Sequence, residues 1–246
     1  MTKKKILITS GGTGGHIFPA VALGSKLKRS GFEVYFCYDP RSESYVNLAA
    51  KNTFIINITN KKGSGIIGRL KYFINIMMSV LQARGIIKEV EPDLVIGFGG
   101  YTTFPILFAS SLLSKAKLIV HESNSVIGSV NKLFLSKVAA IAGGLDKIED
   151  ISPSYLNKFF YTGTPVREMI EKVRRKKVSD KINILIFGGS QAAKRFSEII
   201  PSAILKLDEK IKRKIHITQQ VKSEDINQIQ ELYKAYKRLL TYARNL

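Results

Sequence analysis

Residues 5–16 read Lys-Ile-Leu-Ile-Thr-Ser-Gly-Gly-Thr-Gly-Gly-His, so a short apolar run passes directly into four glycines within five positions and then into helix-forming sequence from Ile17 to Leu27. That is a phosphate-cradle arrangement. Having no Cβ atoms, Gly11, Gly12, Gly14 and Gly15 let backbone N–H groups close on an anion at the partially positive end of a helix; the same run could also serve as a tight strand-to-helix turn with no ligand. The device recurs. Gly97-Phe98-Gly99-Gly100, followed by Tyr101, ends the apolar run that begins at Leu94, and Gly188-Gly189-Ser190 ends the run Asn183–Phe187. In a parallel sheet such turns collect at the carboxyl edge, where ligands bind, and three of them favour a phosphorylated ligand.

Between the glycine turns, short runs of β-branched and aromatic residues alternate with longer helical stretches, the pattern of a parallel α/β sheet. The expected strands are Lys5–Thr9, Glu33–Tyr38, Phe54–Ile58, Leu94–Gly97, Lys117–His121 and Val138–Ala142. The expected helices are Phe18–Ser30, Ser42–Ala50, Gly65–Val90, Thr103–Ser114 and Ile127–Leu135, the third ended by Glu91-Pro92-Asp93 because proline cannot continue it. A second series follows a polar, basic stretch: a strand Lys181–Phe187, a helix Gln191–Leu207, a strand Lys214–Gln219 and an amphipathic helix Glu224–Leu240. The openings at Lys5 and Asn183 are alike, which suggests two Rossmann-like domains, residues 1–162 and 163–246. Only two strands are expected in the second, with none in the terminal stretch 236–246, so that domain reads as incomplete, either truncated or completed by a partner.

The chain has 246 residues, and its 39 Lys and Arg against 19 Asp and Glu give a net charge of +20. Such a charge points to polyanions, whether nucleic acid, an anionic membrane surface or phosphorylated substrates. The basic residues are scattered and no aromatic-basic motif accompanies them, so nucleic acid is disfavoured and a lysine-rich composition alone explains the count equally well. The one cysteine, Cys37, excludes a disulfide framework and a cysteine metal site and fits a reduced, cytoplasmic setting. Tyr72–Leu81 is interrupted by Asn75 and Ser79 and falls short of the roughly 18 to 20 apolar residues of a spanning helix. Around it, Ile66, Ile67, Leu70, Phe73, Ile74, Met77, Met78 and Leu81 form a helical stripe flanked by Lys61, Lys62, Arg69, Lys71 and Arg84. Core packing is the default for such a stripe, and contact with a membrane surface is the alternative.

The common nucleotide motifs fail. Ile17 stands where a dinucleotide fingerprint needs glycine, no Gly-Lys-Ser/Thr completes a P-loop, Gly188-Gly-Ser-Gln-Ala192 lacks the last glycine of a nucleophile elbow, and no Asp-x-Asp pair is present to hold a metal diphosphate. Phosphates would then be neutralised by N–H groups, helix dipoles and Arg or Lys. His16 at the start of the first helix could exchange a proton with a ligand or simply pack. His121-Glu122-Ser123-Asn124 brings a base, a carboxylate and an amide to another strand end, while His216, inside an expected strand, reads as structural.

Taken together, Gly11-Gly-Thr-Gly-Gly-His-Ile-Phe-Pro19, Gly97-Phe-Gly-Gly-Tyr101, His121-Glu-Ser-Asn124, Gly163-Thr-Pro-Val-Arg167 and Gly188-Gly-Ser-Gln191 closely resemble the MurG family, the UDP-N-acetylglucosamine transferases that convert lipid I to lipid II in peptidoglycan synthesis. The resemblance implies an α/β fold of GT-B type with two Rossmann-like domains, and an inverting hexosyl transfer that needs no cofactor or metal. It implies that Thr13, Gly14, Gly15, Asn124, Arg167 and Ser190 contact UDP-N-acetylglucosamine, and that Gly99, Gly100 and Tyr101 hold the diphosphate of the undecaprenyl-linked acceptor. His16 becomes the leading candidate for activating the acceptor hydroxyl and Glu122 a weaker one. It further implies a peripheral position on the cytoplasmic face of the bacterial inner membrane, against the anionic leaflet. Thr164, Ala192 and Ser123 depart from residues usual in the family, and the family's donor site continues into sequence beyond that matched here. A catalytically inactive remnant that keeps only the acceptor and membrane domain is the alternative.

Overall fold

The structure, a computed structural model, describes residues 3–42, 52–58, 65–172, 181–188, 190–221, 223–232 and 240–243. Contacts divide the chain into two compact units, Met1–Val173 and Arg174–Leu246. Residues 163–172, expected with the second domain, are thereby carried with the first.

In the first unit, strands β1 (Lys5–Thr9), β2 (Glu33–Tyr38), β3 (Thr53–Ile55), β4 (Leu94–Gly97), β5 (Lys117–Glu122), β6 (Ala140–Gly143) and β7 (Phe159–Tyr161) form one sheet in the order β3-β2-β1-β4-β5-β6-β7. Every pairing is parallel. β7 is a seventh strand where six were expected; its three residues, Phe-Phe-Tyr, are too short to stand out, and pairing with Ile141–Gly143 makes them a strand. The strand order turns back on itself between β1 and β4, and Thr9 is level with both Cys37 and Gly97. The ends of the three central strands therefore share one edge at the switch point of the sheet. Successive side chains alternate between the faces: Ile6 and Ile8 pack with Ile17, Ala20, Phe36 and Phe98, whereas Leu7 packs with Val95, Ile106, Leu107, Val120 and Ile141.

The helices of this unit are α1 (Gly14–Arg29), α2 (Gly65–Val90), α3 (Phe104–Leu113), α4 (Ser129–Phe134) and the single turn α5 (Glu168–Glu171). The expected helix Ser42–Ala50 lies outside the described residues except for Ser42, which closes a 3-10 turn, Pro40–Ser42. In α2 the core-packing expectation fails for the apolar stripe. Ser79, Ala83, Ile86, Ile87 and Val90 are buried, yet Ile66, Phe73 and Met78 are 85%, 59% and 61% exposed. The reason is length: 26 residues of helix reach about 39 Å, while the four residues of β4 span about 13 Å, so the first half of α2 overhangs the sheet.

The second unit contains β8 (Ile182–Ile186), α6 (Ser190–Leu205), α7 (Glu209–Lys212), β9 (Ile215–Gln220), α8 (Ile226–Leu232) and β10 (Leu240–Ala243). Its sheet has three strands in the order β10-β9-β8, all parallel. β10 corrects the expectation that no third strand follows: Leu240-Thr-Tyr-Ala is short and looks like the end of a basic helix, but it pairs in register with Ile217–Gln220. Ile204, Ile215, Ile217, Val221 and Ile229 form the core. β8 is the outer strand, and Ile182, Leu185 and the following Phe187 are 63%, 64% and 69% exposed.

Candidate active site

The loops that follow β1 and β4 lock together through their backbones. Gly11 N–H donates to the Gly99 carbonyl and Phe98 N–H to the Thr9 carbonyl, each at 2.9 Å, and the Thr102 hydroxyl donates to the Ser10 carbonyl at 3.1 Å. A Cβ on Gly100 would lie 2.9 Å from the Gly11 Cα, and Gly99 and Gly100 both take φ of +85°, so bare, left-handed backbone is required here. Thr13 caps α1 in extended conformation without a side-chain bond. Its carbonyl accepts the N–H groups of His16 and Ile17. Among the described residues, the N–H groups of Gly12 to Gly15 and of Gly99 to Thr102 have no partner. Two arrays of free donors at one sheet edge, each opening a helix or turn, are suited to an anion with more than one phosphate.

His16 stands between the arrays. Its Cε1 lies 3.3 Å and its Nδ1 3.5 Å from the position a Cβ on Gly99 would occupy, and Nδ1 is buried with no hydrogen-bond partner. A buried imidazole nitrogen normally finds a partner, so this one is poised for a group the protein does not itself supply.

The next strand end is organised by Glu122, which is 2% exposed. Its Oε1 accepts from the N–H and side-chain amide of Asn124 at 3.0 and 2.7 Å, and its Oε2 from Gly128 N–H and the Asn131 amide at 2.8 and 3.0 Å. Asn131 also donates to the His121 carbonyl at 3.1 Å and lies 3.4 Å from the same point beside Gly99. Glu122 thus ties residues 124–131 back to β5, and its lone pairs are already engaged. Asn124 lies at the surface, and its amide oxygen has no partner among the described residues. His121 is stacked on Phe98 with centroids 4.9 Å apart. Its Nε2–H donates to the Gly163 carbonyl at 3.2 Å and its Nδ1 accepts from the Ser123 hydroxyl at 3.3 Å. Burial pulls its pKa below the usual 6.5, so the ring is neutral at neutral pH.

Arg167 caps α5 and lays its guanidinium 4.1 Å over the ring of Phe18. The same ring lies against Gly14, where a Cβ would be 3.1 Å from it. Phe18 therefore links Arg167 to the first donor array. Beside them a cleft of about 470 Å³ separates α1 from residues 165–171. Tyr101 begins the turn after Gly100 and sets its hydroxyl against the guanidinium of Arg41; its pKa is raised by burial, with the Arg41 charge opposing. Ser190 is the first residue of α6 in the second unit, where Gly188 N–H donates to Gln220 at 3.2 Å. Among the described residues no group of three His, Cys, Asp or Glu side chains converges as a metal site requires. The edge thus gathers His16, Thr13, Gly14, Gly15, Gly99, Gly100, Tyr101 and Arg167 directly, and Glu122 and Asn124 through Asn131. Arg41, Asp39 and Asn131 carry no motif; the one sequence signal for them is a polar residue directly after the apolar run Glu33–Tyr38 or inside a short helix.

Residues 6–142 match the glycosyltransferase family 28 N-terminal domain and residues 183–246 the glycosyltransferase family 28 C-terminal domain. The chain is 38% identical over 234 residues to the UDP-N-acetylglucosamine–N-acetylmuramyl-(pentapeptide) pyrophosphoryl-undecaprenol N-acetylglucosamine transferase of Rickettsia canadensis, covering 94% of this chain and 65% of that protein. The enzyme of the same name from Brucella anthropi is 36% identical, with 95% and 63% covered. The chain thus spans just under two thirds of the length of these curated relatives. Among solved structures, Acinetobacter baumannii MurG superposes with a TM-score of 0.73 at 26% identity, over 98% of this chain and 67% of that one. The α/β architecture expected from the sequence, GT-B in type, is borne out, and the chain belongs to glycosyltransferase family 28.

Proposed function

We propose that this chain transfers N-acetylglucosamine from UDP-N-acetylglucosamine to lipid I, an undecaprenyl-pyrophosphate-linked muramyl acceptor, giving lipid II. The observation that carries the reading is the interlocked pair of glycine loops with His16 Nδ1 buried and unpartnered between them. The names of the relatives supply the substrates. In this reading the muramyl 4-hydroxyl attacks the anomeric carbon, His16 accepts its proton, the bond from that carbon to the UDP oxygen breaks, and the configuration inverts. Arg167 and the donor array of α1 stabilise the charge on the departing diphosphate, and Asn124 and Ser190 contact the donor. Glu122, holding four donors, is a positioning residue rather than the base.

The exposed first half of α2, with Arg69 and Lys71 among its apolar side chains, favours attachment to an anionic membrane surface, where such an acceptor resides. Among the described residues no helix is long and apolar enough to cross a membrane. One observation favours a second reading, an acceptor-binding form without turnover: Ile182, Ile184 and Leu185 of β8 are exposed. Incubating the purified chain with labelled UDP-N-acetylglucosamine and lipid I in detergent decides between them. Labelled lipid II with release of UDP is the expected result; acceptor binding without product would establish the second reading instead.

A further inference from the structure

Arg41, in the turn after β2, has no part in the chemistry above, yet it is held with unusual care. Its backbone N–H and Nε donate to Asp39 Oδ1 at 2.9 and 3.3 Å and its Nη2 to Oδ2 at 2.7 Å. Nη2 also donates to the Tyr101 hydroxyl, and the guanidinium carbon sits 5.2 Å from the centroid of that ring. Asp39 backs onto the first glycine loop, since a Cβ on Gly12 would lie 2.4 Å from its Oδ2. The carboxylate is 2% exposed and its partner's side chain 54%, so the pair is asymmetric: the anion is enclosed and the cation faces outward. Nη1 of Arg41 has no partner among the described residues. In the same turn the Ser42 hydroxyl is buried with no partner.

An ion pair formed only to secure a surface turn would add little, and it would not need to reach a tyrosine on a different loop. Here Nε and both N–H bonds of Nη2 are engaged by Asp39 and Tyr101, which leaves the two N–H bonds of Nη1 presented beside two arrays of free N–H groups. That is the preorganised geometry of a phosphate-binding arginine. We propose that Arg41 binds the diphosphate of the lipid-linked acceptor, with Asp39 and Tyr101 as its positioning residues. Assigning that diphosphate to the acceptor rests on the transfer reading above. Arg167, against Phe18 and Gly14, serves the donor from the other end of the same loop.

The test is calorimetric titration of the chain with geranyl diphosphate, a soluble prenyl diphosphate, and separately with UDP. Removing Arg41 alone would leave Asp39 buried without its counter-ion, so the variants are Arg41→Lys and the charge-free pair Asp39→Asn with Arg41→Gln. Geranyl diphosphate is expected to bind saturably and at least about tenfold more weakly to both variants, while UDP binding changes by less than about twofold. Should a variant not fold, the Arg41 Nε–H resonance of the unaltered chain decides: it is expected to shift with geranyl diphosphate and not with UDP. No saturable binding, undiminished binding by the variants, or an effect on UDP instead would overturn the proposal. A chain that binds as expected but transfers no sugar would sink the transfer reading alone, and one that transfers sugar with variants unaffected in binding would sink the role of Arg41 alone.

Discussion

Glu122 and His121 are adjacent, buried and ionisable, and each makes a measurable demand on the fold. Replacing Glu122 by Gln puts an NH2 group where an oxygen now faces two donors. Its partners on both oxygens are N–H groups, so at least one buried donor loses its acceptor. The expected cost is about 1–3 kcal/mol, seen as a lower denaturant midpoint with an unchanged slope. His121 gives a pH dependence whose sign follows from burial. Its folded pKa is depressed, so the unfolded chain binds the extra proton first, and stability present above pH about 6.5 is lost as pH falls below that value. The loss between pH 7 and 5, followed by thermal unfolding, should shrink in His121→Gln; an identical pH profile would refute the assignment. The sequence marks these residues as polar groups ending a strand. It does not reveal that the loop 124–131 folds back to saturate one and that Gly163 and Phe98 enclose the other, because those contacts come from distant positions.

Helix α2 shows what a periodic pattern can and cannot say. Its bounds, Gly65 to Val90, are legible from the spacing of its apolar residues and the proline that follows. Which turns are buried is not, since that depends on the length of the strands beneath. The same holds for β7 and β10, whose three and four residues become strands only through a neighbour's hydrogen bonds. The overhanging half of α2 yields a prediction. Ile74 and Met78 are 51% and 61% exposed, so Ile74→Glu with Met78→Glu should leave the thermal midpoint within a degree or so while weakening sedimentation with anionic vesicles by about tenfold or more. Unchanged vesicle binding would show that this face meets something other than lipid.

Among the described residues, the first unit carries a seven-stranded parallel sheet whose switch point presents two donor arrays, His16 and two arginines, whereas the second has three strands, with Ile182 and Leu185 of β8 exposed. The order of the glycine motifs made the edge and the family legible from sequence alone. The net charge of +20 did not, for its basic residues are scattered along the chain and single out neither Arg41 nor Arg167. The account depends most on His16 as the group that takes the acceptor's proton, and the most direct measurement is kcat for sugar transfer by His16→Gln beside the unaltered chain, with thermal midpoints compared. A fall of about 100-fold or more with little change in the midpoint is predicted. A variant that folds and turns over at the original rate would contradict it.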